Sequence, residues 1–172
     1  MNTIKTLFIG LTLSLGLIAT NANAQSKTAH INVQELLDNM PSYKEAQMQI
    51  QKLEQGYRSD IDASLKEAQK KNQQYQAEAE TVTREENEKR AVELQEMEQS
   101  IREYQQTASQ EIQKKQEELF RPILEKARNT IQKVARAKGF DYVLNSSTGS
   151  GVLMADGYDL LDDVIAEIKA TK

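Results

Sequence analysis

Apolar side chains recur through the middle of this chain at spacings of four, three and four residues, a pattern that repeats every eleven. The first run reads Ala46, Ile50, Leu53, then Tyr57, Ile61, Ser64, then Ala68, Asn72, Tyr75, and ends at Ala79. The second reads Met97, Ile101, Tyr104, then Ala108, Ile112, Lys115, then Leu119, Ile123, Lys126, then Thr130, Val134, Ala137. Eleven residues make three turns of about 3.67 residues, close to the straight α-helix, so each run draws one narrow stripe along a long rod. The runs are broken near Thr83 to Asn87. A rod with a stripe on each half covers both by folding back, so the pattern predicts an antiparallel helical hairpin over residues 43–138 with its tip near 83–87.

Local signals mark both ends of the hairpin. Ser42-Tyr43-Lys44-Glu45, just after Pro41, has capping-box spacing and starts the first helix. Lys138-Gly139 is a C-cap, with glycine free to take the left-handed turn. Ahead of the hairpin, Ala29 to Val33 is β-prone; behind it, Tyr142-Val143-Leu144 and Val152-Leu153-Met154 flank Ser146 to Ser150 and predict a β-hairpin. Asp159 is placed to cap a last helix carrying Leu160, Leu161, Val164, Ile165 and Ile168 at helical spacing.

The expected class is α+β, mostly α: a long hairpin standing on a small β-rich body formed by residues 25–42 and 139–172. Those two ends hold 52 residues and the chain has no cysteine, so a body this small needs oligomerisation to complete its core. Ile31, Val33, Tyr142, Val143, Leu144, Val152 and Leu153 are the residues expected to build it. Past Pro122 a second stripe of Leu124, Ala127, Ile131 and Ala135 appears, so the base of the returning helix is covered on more than one side. Pro122 itself removes a hydrogen bond to Glu118 and is expected to bend the helix, as a static bend or as a hinge for the arms.

The first 24 residues read as a leader removed on export: Lys5, a twelve-residue apolar stretch from Leu7 to Ile18, and Ala22-Asn23-Ala24 before cleavage near Ala24-Gln25. Twelve residues fall short of the ~20 that span a bilayer, which predicts a soluble exported protein. Net charge is −4, unevenly spread. Glu78 to Glu103 holds 4 basic and 9 acidic side chains, whereas Tyr104 to Lys138 holds 8 basic and 4 acidic. An acidic chain without Trp lacks the basic surface and aromatic platforms of a nucleic-acid binder. The lone His30 has no nucleophile or ligand partner in sequence, Asp156, Asp162 and Asp163 suit a helix start, and no phosphate loop or cofactor motif is present. The expectation is a non-enzymatic protein with no catalytic residue, metal or cofactor.

The strand ending Ile31-Asn32-Val33-Gln34, the Met40-Pro41 turn into a charged hairpin, the returning Leu119-Phe120-Arg121-Pro122-Ile123, the run Val134 to Leu144 and the ending Asp159 to Val164 together resemble the Skp (OmpH) family of periplasmic chaperones. That resemblance covers nearly all of residues 28–169. It implies a homotrimer whose shared β-rich body carries three helical tentacles around a cavity. The cavity would hold unfolded outer-membrane β-barrel proteins in the periplasm without ATP. Candidate contacts for such clients are the off-stripe Met48, Leu65, Val82 and Val92 and the basic Lys114, Lys115 and Arg121. Family members with basic arms are linked to anionic lipid and lipopolysaccharide, and the acidic tip here argues against that contact. The competing expectation is a structural or adaptor coiled-coil protein of the envelope.

Overall fold

A computed structural model describes residues 26–171, so the leader expected over residues 1–24 lies outside the described residues. Strand β1, Thr28–Ile31, turns Ala29 and Ile31 inward, as the two-residue period of a strand requires. It does not run on to Val33. Asn32 accepts the backbone N–H of Glu35 at 3.1 Å and caps a short helix α1, Val33–Asp38, which buries Leu36 and Leu37. The Val33 expected at a strand end is therefore the first helical residue, because an Asn cap outweighs the weak β preference of one branched side chain.

Helix α2, Pro41–Glu78, starts earlier than the expected capping box. Met40 is the cap residue and makes no side-chain cap bond; Pro41 occupies the first turn, where its fixed φ suits the helix and its missing N–H costs nothing. Helix α3, Arg84–Ala137, returns antiparallel. The turn between them spans residues 79–83, ahead of the expected 83–87. Thr83 Oγ1 accepts the Glu86 N–H at 3.2 Å and starts α3, while Asn87 reaches back to the Ala79 carbonyl at 2.8 Å. At ~1.5 Å per residue, α2 is about 57 Å long and α3 about 81 Å. The surplus length of α3 passes beyond the start of α2 and becomes part of the body.

Most stripe positions face the partner helix, with Ala46, Ile50, Ile101 and Ala108 buried. Near the tip the inward positions are Lys71, Tyr75 and Glu78, while the expected Asn72 and Ala79 are exposed. The spacing there has changed to three, four, three, which selects side chains that reach across to α3. At the base, Lys126 and Ala137 are exposed and Ala127 and Ala135 of the second stripe are buried, because this end of α3 is covered by α1, β1 and the last helix. Pro122 lies inside α3 without ending it, between Phe120, whose ring packs 5.3 Å from Tyr43, and the buried Ile123.

Lys138 ends α3 as expected. Gly139 has φ +76°, its N–H donates to Arg136 at 3.0 Å and that of Phe140 to Ala135 at 3.0 Å, the two bonds of a Schellman turn. This turn delivers β2, Tyr142–Asn145, to one edge of β1, with Ala29 opposite Val143. The expected β-hairpin is absent. Residues 152–154 form no strand; β3 is Tyr158–Asp159, and it pairs with the other edge of β1, giving a wholly parallel sheet in the order β2-β1-β3. Val152-Leu153-Met154 joins neither edge of β1, and the outer edge of β2, where the expected hairpin would have paired, carries no strand among the described residues. Gly149 and Gly151, at φ +84° and +87°, turn the intervening loop outward. Asp159 Oδ1 then accepts the Leu161 N–H at 2.9 Å and opens α4, Leu161–Ala170, one residue later than the sequence pattern places it. Ile31, Leu36, Leu160 and Val164 are fully buried and form the centre of the core with Ala127 and Val134.

Candidate functional site

The body presents an open face beside its sheet. Beside β1 and β2 the base of α3 borders a groove of about 550 Å³, lined by Ile31, Val33, Ile131, Ala135, Phe140 and Val143 and flanked by Arg128 and Arg136. Of the residues expected to build the body, Ile31 belongs to the chain's own core, and Val33 and Val143 pack against its edge. Tyr142 and Leu144 are exposed, Val152 is half-buried, and Leu153 and Met154 stand in solvent. The fold thus gathers these residues around the sheet but separates an apolar groove from an apolar loop. The loop is held at its start: Asn145 Oδ1 accepts the Val33 N–H at 3.3 Å and Ser147 Oγ that of Gln34 at 3.1 Å, which uses free amides at the start of α1.

The candidate contacts on the arms are dispersed. Met48, Leu65 and Val92 are exposed and Val82 is half-buried in the turn. Lys114 is exposed; Lys115 is half-buried and pairs with Glu118 at 3.4 Å, and Arg121 pairs with Glu117 one turn before it. Local pairing of two of the three basic residues leaves less free charge than the sequence count implies. Midway along the arms Tyr57 meets Tyr104 edge-on at 5.7 Å, and the Tyr104 hydroxyl donates to Asp60 at 3.0 Å. That bond raises the Tyr104 pKa, since the phenol must stay protonated to make it.

The tip carries a polar cluster that sequence reasoning missed. Glu93 of α3 accepts from Lys71 and from the Tyr75 hydroxyl, the latter at 2.6 Å. Arg90 lies over the Tyr75 ring at 4.6 Å and bonds Glu78 at 2.8 Å, with Glu86 at 3.5 Å. Hydrogen bonds from Lys71 and then Tyr75 hold the Glu93 carboxyl below its usual range, and Gln74 and then Arg90 do the same for Glu78. The same Glu93 bond raises the pKa of both Lys71 and Tyr75. The available signal was the placing of Lys71, Tyr75 and Glu78, and of Glu86, Arg90 and Glu93, at spacings of three and four on facing helices.

His30 bridges the two flanks of its strand, with Nε2 3.1 Å from the Gly157 carbonyl and Nδ1 3.3 Å from Ser146 Oγ. Asp163 pairs with Lys138 at 2.9 Å and accepts from Tyr158, tying α4 to the end of α3. Among the described residues no group of three or more His, Cys, Asp or Glu side chains is placed to hold a metal ion, and no helix is long and apolar enough to cross a membrane. The arrangement offers broad, shallow contact along the arms and an apolar groove on the body.

Comparison with known proteins gives two findings. The profile of the family described as outer membrane protein (OmpH-like) matches residues 27–168. A crystal structure of a candidate outer membrane chaperone (OmpH-like) from Caulobacter crescentus CB15 superposes with a TM-score of 0.72 over 87% of each chain at 15% identity, a likeness of fold. No curated protein matches.

Proposed function

Since the chain belongs to the OmpH-like family, we propose that it is a periplasmic chaperone that holds unfolded outer-membrane β-barrel proteins without ATP and keeps them from aggregating. The observation that carries this reading is the pair of long arms, standing clear of the core, with Met48, Leu65 and Val92 exposed along them. An unfolded chain has no fixed shape to match, so it is held best by many weak contacts on extended surfaces. The groove on the body and the exposed Leu153 and Met154 support assembly into a homotrimer, in which the loop of one copy covers the groove of the next. Pro122, where α3 leaves the core, is the position at which the arms would tilt to admit clients of different size. The acidic side chains around the turn weigh against tip contact with anionic membranes or lipopolysaccharide.

The test is suppression of aggregation of a denatured β-barrel membrane protein, with capture followed by stopped-flow fluorescence. The chain should suppress aggregation at stoichiometric amounts, and changing Met48, Leu65 and Val92 together to Ser should weaken it. Reversing Lys114, Lys115 and Arg121 to Glu should slow capture and flatten its salt dependence, since exposed charges act mainly on association. No suppression by the unaltered protein would overturn the proposal. A structural or adaptor protein is the second reading, and the polar cluster that joins the two helices near the tip is what favours it. In that case all variants and the unaltered protein would be equally inactive.

A further inference from the structure

We propose that Lys71, Tyr75 and Glu78 of α2 and Arg90 and Glu93 of α3 form an interhelical clasp that keeps the far ends of the arms paired where the apolar seam runs out. The need for such a device is visible just below it. Around Ile101 the arms are flanked by two open grooves of about 410 and 400 Å³, and the seam there is completed by the small side chains Ser64 and Ala68. Beyond that level, few large apolar side chains remain to hold the helices together. Apolar contact alone would leave the last turns of both helices to fray, as helix pairs without a core do.

The clasp replaces that contact with directed bonds. Arg90 is only 16% exposed, so its charge has left most of its water and depends on its partners. Those partners come from both helices: Glu78 across the seam at 2.8 Å, Glu86 on its own helix at 3.5 Å, and the Tyr75 ring at 4.6 Å. Glu93 completes the set by accepting from Lys71 and Tyr75 of the facing helix. Each helix thus supplies both signs of charge. Removing Arg90 leaves Glu78 and Glu86 without their shared cation, and removing Glu93 leaves Lys71 and the Tyr75 hydroxyl without their shared acceptor. Because the members share partners, they act as one unit rather than as a sum of surface pairs.

Amide hydrogen exchange on the full chain tests this residue by residue. Arg90→Gln and Glu93→Gln should each speed exchange at residues 71–78 and 88–94 by about tenfold or more, with amides near Ile50 and Ile123 unchanged. The double variant should exchange little faster than either single one. Tyr75→Phe, which keeps the ring beneath Arg90 and removes only the hydroxyl, should give a smaller increase. Swapping the pair by Lys71→Glu with Glu93→Lys should restore part of the protection. The proposal is overturned if tip amides of the unaltered protein already exchange as fast as those of Arg90→Gln. Strictly additive single effects, or an equal loss at the base, would overturn it too.

Discussion

Leu153→Asp separates an isolated chain from an assembled one. Leu153 is fully exposed and Met154 is 77% exposed, on a loop that Gly151 directs away from the core with φ +87°. In a lone chain, replacing a side chain that touches nothing changes stability by no more than about 0.5 kcal/mol. If the loop instead covers the groove of a neighbouring copy, each substitution forfeits the burial of one leucine, about 1.5–3 kcal/mol. Three equivalent sites then lose about 5–9 kcal/mol, and at ~1.4 kcal/mol per tenfold the association constant falls by roughly 10³ to 10⁶. The desolvation of a carboxylate adds to that loss. Light scattering at micromolar concentration should show three times the chain mass for the unaltered protein and a dissociated, less heat-stable species for the variant. Leu160→Ala is the control: Leu160 is fully buried within the chain, so its truncation should cost about 2.5–5 kcal/mol without being confined to assembly. An unchanged mass for Leu153→Asp, or a folded monomer in the unaltered protein, would refute the reasoning.

Two further outcomes follow from the body. Glu167 is held below its usual pKa by hydrogen bonds from Lys133 and Thr171, and Asp163 by Lys138 and then Tyr158. A depressed folded-state pKa contributes stability that is complete above the unfolded value near 4 and is lost as pH falls through the folded one, so these bonds hold α4 at neutral pH and weaken as pH falls below about 4. The Glu167→Gln and Asp163→Asn variant should lose this acid-dependent part of α4 amide protection; an acid profile identical to that of the unaltered protein would contradict it. Gly139→Ala meets nothing within 4 Å, so its cost is the left-handed backbone alone, about 1–2 kcal/mol, read as a lowering of the thermal midpoint by roughly 2–8 °C. A midpoint that does not move would show that the turn at Lys138 relaxes without glycine.

Much of the architecture is legible in the sequence because it is decided within a few residues. A stripe repeating every eleven positions makes two long helices whatever surrounds them, and Lys138-Gly139 ends the second by a turn that needs only a left-handed residue. The family resemblance lay in the same local patterns at both ends, and the profile match over residues 27–168 agrees with it. Other features depended on distant partners. Val33 looked like a strand residue until Asn32 and the buried Leu36 drew it into a helix, and Val152-Leu153-Met154 has strand character, yet the second edge of β1 goes to Tyr158–Asp159. At the tip, Lys71 rather than Asn72 faces inward because Glu93 waits on the opposite helix. Periodicity sets which side chains share a face. Which face turns inward, and which strands pair, depends on residues brought together from far along the chain, so those choices are made only when the tertiary structure forms.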